Sequence, residues 1–157
     1  MATFSVESNG MLEKTAVYYN GQQIGGIKEV FLSIDEEGAF DAFIQYEGLD
    51  KKLYTKQIFT DYFEQVKVVD PSFDEDEAEE LQLFTIDSDG ELDSTVVYYN
   101  DEPLDGIVSL TLHIKGTATT SGLKSLFKSK DIPERPVFTS EITFRNEDDT
   151  LETESIF

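Results

Sequence analysis

Along most of this chain, apolar and polar residues alternate. In 27–34, Val30, Leu32 and Ile34 fall on one side, and Leu110, Leu112 and Ile114 repeat the pattern further on. Phe40, Ala42, Ile44 and Tyr46 share one side of a second such segment, and Phe138, Ser140, Ile142 and Phe144 one side of its later counterpart. A period of two predicts strands with one buried face. Val17-Tyr18-Tyr19 is a β-favouring run ending at Asn20-Gly21, a strong two-residue hairpin signal. Its counterpart ends at Asn100-Asp101, a weaker turn that still tolerates positive φ. Adjacent tyrosines in a strand point to opposite faces, so one of each pair should enter the core. Residues 53–67 break the pattern. Tyr54, Ile58, Tyr62 and Val66 recur every four residues, with Phe59 and Phe63 beside them. That spacing predicts a helix near 54–67, packed on a sheet.

The chain also says nearly the same thing twice. Phe4–Ile34 aligns with Phe84–Ile114 at an offset of 80, with 13 of 31 residues identical. The match resumes between Phe40–Phe59 and Phe138–Phe157 at an offset of 98, so the second copy has gained 18 residues net. An internal duplication explains both matches. The expected fold is mainly β, antiparallel, with one helix in the first half: two tandem β-units, packed around a pseudo-twofold axis or sharing one sheet. The first β-repeat takes 1–69, an acidic linker 70–80, and the second β-repeat 81–157 with a basic insertion at 115–137. Within the insertion, Leu123, Leu126 and Phe127 have helical spacing, with Lys124, Lys128 and Lys130 around the turn. This piece is expected either to dock on the protein's own acidic surface or to serve as a contact loop.

Charge changes the picture more than length does. Twelve Lys and Arg against 33 Asp and Glu leave a formal charge of −21. The linker has no basic residue and seven acids, and 81–114 also has none and seven, whereas 115–137 is net positive. Such a field repels nucleic acids and anionic membranes and draws in basic protein surfaces. Acidity for solubility alone is the competing explanation. No apolar run approaches the roughly 18 residues needed to span a bilayer, and the N-terminus lacks signal-peptide features. A cytoplasmic location is the default expectation.

Catalytic chemistry finds little foothold. There is one His and no Cys, so nucleophile–base pairs reduce to His113, which the alternation places on the polar face of its strand. Phosphate-binding loops and nucleophile elbows are missing. The stretch Asp87-Ser88-Asp89-Gly90-Glu91-Leu92-Asp93 resembles a calcium loop, but an EF-hand register would put Thr85 and Val96 where carboxylates are required. A looser calcium site is the alternative for this loop. No cofactor and no metal site are expected, and no enzymatic activity.

The acids themselves are the candidate site. Asp87, Asp89, Glu91 and Asp93 alternate and would line one face of an extended chain unless Gly90 breaks the run. With Asp101, Glu102 and Asp105, and with Asp74, Glu75, Asp76 and Glu77 in the linker, they would form an anionic ridge. The functional expectation is a non-enzymatic acidic binding protein, an inhibitor or nucleic-acid mimic that occupies the basic surface of a nucleic-acid-binding protein. Its partner would be a basic protein, with no direct nucleic-acid binding and no membrane; homo-oligomerisation is left open. The alternative is a structural subunit of a larger assembly, such as a virion or tail component.

Overall fold

A computed structural model describes residues 2–116 and 137–157. Among these residues the fold is mostly β and antiparallel, with one α-helix. The strands are β1 Ala2–Ser8, β2 Ala16–Tyr19, β3 Gln22–Gly25, β4 Ile27–Asp35, β5 Phe40–Glu47, β6 Leu53–Gln57 and β7 Lys67–Val68. After the helix α1, Glu75–Ala78, come β8 Gln82–Ser88, β9 Val96–Tyr99, β10 Glu102–Pro103, β11 Ile107–Lys115, β12 Val137–Arg145 and β13 Leu151–Ser155. They form two sheets, ordered β10-β9-β8-β1-β2-β3-β7 and β13-β12-β11-β4-β5-β6.

Each sheet takes strands from both sequence halves. In the first, β1 pairs with β8 so that Ser5 lies opposite Thr85. In the second, β4 pairs with β11 so that Leu32 lies opposite Leu112. Both are pairs of residues that match at the offset of 80, so each ladder is centred on a matched pair and related residues fall symmetrically about it. The alternation then fills the space between the sheets. Phe4, Val6, Phe84 and Ile86 from one sheet and Val30, Leu32, Leu110 and Leu112 from the other belong to one buried cluster. Tyr19 and Tyr99 pack on this core, and the Tyr18 hydroxyl instead donates to Glu7 at 3.3 Å. The crossing from β3 in one sheet to β4 in the other runs through Gly26, with φ at +74°, where a Cβ would lie 2.5 Å from the Glu47 carbonyl oxygen. Only glycine fits there.

Residues 54–67 are not helical. Leu53–Gln57 is strand β6, in register with β5 from Glu47↔Leu53 to Phe43↔Gln57, and turns follow. The four-residue spacing is a coincidence of two different environments. Ile58 is fully buried just past the strand end, whereas Tyr62 is 80% exposed, which no buried helical stripe would allow. The only α-helix among the described residues is α1, in the acidic linker. The Asp74 side chain caps it by accepting the Glu77 N–H at 2.8 Å, and acids fill its first turn, where the helix dipole favours them. The helical spacing at Leu123, Leu126 and Phe127 lies outside the described residues.

After β6 the chain folds back over the core edge of the first half. Phe63, 5% exposed, stacks on Tyr19 at 4.3 Å between ring centroids and lies 5.7 Å from Tyr46. The buried Tyr46 hydroxyl donates to the Glu64 carbonyl at 2.6 Å. Burial first, and then the nearby Glu64 carboxylate, push this hydroxyl up to about 12 from 10.0. The folded protein therefore keeps a proton that the unfolded chain releases near pH 10. This contribution is complete below that pH and is lost as the pH rises through about 12. Urea denaturation across that interval should show falling stability, and Tyr46→Phe should flatten part of the fall.

Candidate functional site

The candidate acids sit in loops whose geometry is repeated in the two halves. In the first half, Ser8 Oγ accepts the Gly10 N–H at 3.0 Å and bonds Thr15 Oγ1 at 2.8 Å, and Asn9 Oδ1 accepts the Met11 N–H at 3.0 Å. In the second, Ser88 Oγ accepts the Gly90 N–H at 3.0 Å and bonds Thr95 Oγ1 at 2.7 Å, and Asp89 Oδ1 accepts the Glu91 N–H at 3.0 Å. Thr15 and Thr95 each donate at 2.7 Å to the carbonyl of the residue four before them, and each loop then makes a 3₁₀ turn, Leu12–Lys14 or Leu92–Ser94. The hairpin turns match as well: Asn20 Oδ1 caps the Thr3 N–H at 2.9 Å and Asn100 Oδ1 the Leu83 N–H at 2.8 Å.

Asp89 thus does the structural work that Asn9 does without a charge. Asp89→Asn should change stability by less than about 0.5 kcal/mol, whereas Asp89→Ala, which strands the Glu91 N–H, should cost about 1 kcal/mol. Urea unfolding of the two variants checks this.

The structure separates acids that the sequence pattern joins. Asp87 lies one residue before the end of β8, on the outer face, where the Thr3 hydroxyl donates to it at 2.6 Å. Gly90, at φ +98°, turns the chain, and Asp93 lies in the 3₁₀ turn, so the chain leaves the strand after Ser88 and 87–93 is not an extended ladder. Asp74–Glu77 precede the other end of β8, where Glu77 lies 3.8 Å from Lys14. The six residue steps of β8 hold these two groups about 20 Å apart. Asp101 and Glu102 flank the β9–β10 turn at the Gln82 end, since Asn100 bonds Gln82 and Leu83. The Leu104 N–H to Val97 bond, 2.9 Å, carries Asp105 towards the Val96 end, on the side of Asp87. The acids therefore frame the β8–β10 edge of one sheet at both ends, with no single ridge along a strand.

His113 lies on the outer face of β11, 2.6 Å from Glu29 Oε2 and edge-on to Phe31 at 5.3 Å. Among the described residues, no three or more His, Asp or Glu side chains gather as metal ligands. No helix among them is long and apolar enough to cross a membrane.

Sequence reasoning missed an apolar pocket of about 140 Å³ at the same edge of the molecule. Phe84, Tyr99, Leu104, Ile142, Phe144 and Ile156 line it, with Glu154 at its rim. These positions match Phe4, Tyr19, Ile24, Ile44, Tyr46 and Ile58 of the first half. There Phe63 fills the corresponding space, while among the described residues of the second half nothing does. The available signal was the alignment at offset 98, in which Lys56 becomes Glu154 and Tyr54 becomes Glu152.

The chain matches no family model, no curated protein and no solved structure.

Proposed function

We propose that this is a non-enzymatic acidic binding protein, derived by internal duplication, that engages a basic protein partner in the cytoplasm. One observation carries the reading: the second half has acquired acids that its fold does not require. Asp89 replaces Asn9, Glu91 replaces Met11, Asp101 replaces Gly21 and Glu102 replaces Gln22, yet the loops close with hydrogen bonds equal to about 0.1 Å. Residues kept for folding would not need the charge. Like charges gathered at each end of one sheet edge cost stability through mutual repulsion within each group, so a partner of opposite charge is the economical explanation. Association would be fast, electrostatically steered and weakened by salt. The specific form of this reading is an inhibitor that takes the place of a nucleic acid on a basic protein.

A pull-down from a nuclease-treated source extract, eluted with a salt gradient, tests it. The expected result is one basic protein, released at moderate salt and displaced by competing DNA or RNA. Release by salt without displacement by nucleic acid would keep the acidic binder and remove the mimic. Recovery of structural proteins insensitive to both would overturn the proposal in favour of an assembly subunit.

A further inference from the structure

Among the described residues, the two halves differ where the first half covers its own core edge. Segment 58–69 does this in three ways. Phe63 enters the space between Tyr19 and Tyr46. Glu64 pairs with Lys56 of β6 at 3.0 Å. Strand β7 adds to the edge of β3, with the Val69 N–H bonded to the Gln23 carbonyl at 2.9 Å.

In the second half each element of the receiving site is present. The pocket formed by Tyr99, Phe144 and Leu104 has room for one aromatic ring. Strand β10 is an edge strand, and the inward bond of the Leu104 N–H to Val97 turns the neighbouring Pro103 carbonyl outward, where Gln23 accepts its strand partner. One element is inverted: Glu154 stands where Lys56 stands, with Glu152 beside it, and both are exposed. Neither is ion-paired among the described residues. Tyr46 has become Phe144, so the pocket asks for no carbonyl acceptor.

We propose that this pocket is the docking site for an extended segment of the basic partner, carrying an aromatic residue followed by Lys or Arg. The aromatic side chain fills the place Phe63 occupies in the first half, the basic residue pairs with Glu154, and the segment's backbone lies along β10. Asp101, Glu102 and Asp105 on the same edge favour further basic residues in the segment. This rests on the reading of the protein as an acidic binder and assigns that binder a specific, apolar anchor point. Edge addition with a side chain in a pocket is an established way to recognise a peptide, and a reversed charge at one rim position selects among segments of similar shape.

The probe is a synthetic peptide of residues 58–69 carrying Glu64→Lys, titrated into the full-length protein and followed by amide chemical shifts. Shifts should concentrate on Phe84, Tyr99, Leu104 and Phe144. The unaltered peptide should bind about fivefold to tenfold more weakly, and one also carrying Phe63→Ala should show no saturable binding. Protein with Glu154→Lys should reverse the preference between the two charge forms. Glu154 is exposed, so this variant should fold normally, and its unchanged thermal midpoint checks that. Equal affinity for both charge forms, shifts confined to the acidic loops, or binding indifferent to Phe63→Ala would each overturn the proposal. So would concentration-dependent self-association that buries the pocket.

The partner pull-down separates this result from the broader reading. Capture of a basic protein equally by wild type and by a Leu104→Arg variant of normal thermal midpoint would sink the pocket and leave the acidic binder standing. Charge-selective peptide binding without any captured basic protein would do the reverse.

Discussion

Phe63→Ala is expected to remove about 3–5 kcal/mol of folding stability, the usual cost of emptying a buried aromatic site. In a domain of this size that lowers the thermal midpoint by roughly 10–15 °C. Phe63 is 5% exposed and is held by Tyr19 on one side and Tyr46 on the other. Truncation would leave both tyrosine rings facing an opening and would loosen the Tyr46 bond to Glu64 O. The loss should also be visible locally. Strand β7 is two residues long and hangs on the β3 edge by bonds such as Val69 N–H to Gln23. Without Phe63, hydrogen exchange at Val69 should accelerate more than the global loss accounts for, because the segment can then detach alone. Phe144→Ala, at the position that matches Tyr46, is the control: among the described residues its ring faces an open pocket, so its truncation should cost less. A loss below about 1 kcal/mol for Phe63→Ala would mean that the segment lies on the core without stabilising it.

Much of the fold was legible because one physical rule wrote it. Strands with one buried face must alternate, and 27–34, 40–46 and their counterparts do so; Asn20 and Asn100 marked the hairpins, and both adopt positive φ, at 52° and 51°. The alternation also put His113 on the outer face, where it meets Glu29. Which strands pair was not legible, because alternation is indifferent to the neighbour. Gly26 and Gly106 mark the crossings between sheets, yet a glycine in a sequence does not say which backbone approaches it. The misplaced helix has the opposite cause. Aromatic and aliphatic residues at 54, 58, 59, 62 and 63 serve a strand, a plug and a solvent-exposed turn, and their spacing imitates one amphipathic surface. Of the candidate site, the acids were legible as composition but not as geometry, since Gly90 turns the run that would otherwise be a ladder. The pocket beside Glu154 was hidden for a different reason: it is defined by what the first half supplies and the described residues of the second do not.

Leu32→Ala and Leu112→Ala should each destabilise the protein by about 2–5 kcal/mol, and by nearly the same amount. Both side chains are fully buried. They face each other in the β4–β11 ladder, with Val30 opposite Ile114 and Ile34 opposite Leu110, so each leucine sees matched neighbours in mirrored order. Similar surroundings should relax to a similar extent, which is what sets the cost of a cavity. The double variant should not be the sum, because adjacent cavities share lining atoms; a coupling of about 0.5–3 kcal/mol is expected. Urea titration followed by two probes, tyrosine fluorescence and far-ultraviolet circular dichroism, also tests how the halves depend on each other. Strands of both halves interleave in both sheets, with β8 bonded to β1 and β11 to β4. Neither 1–69 nor 81–157 can therefore unfold while the other keeps its sheet pairing, and the single variants should show one transition with coincident probes. Two separated transitions, or a large difference between the two leucines, would mean that the central ladders join units that are stable on their own.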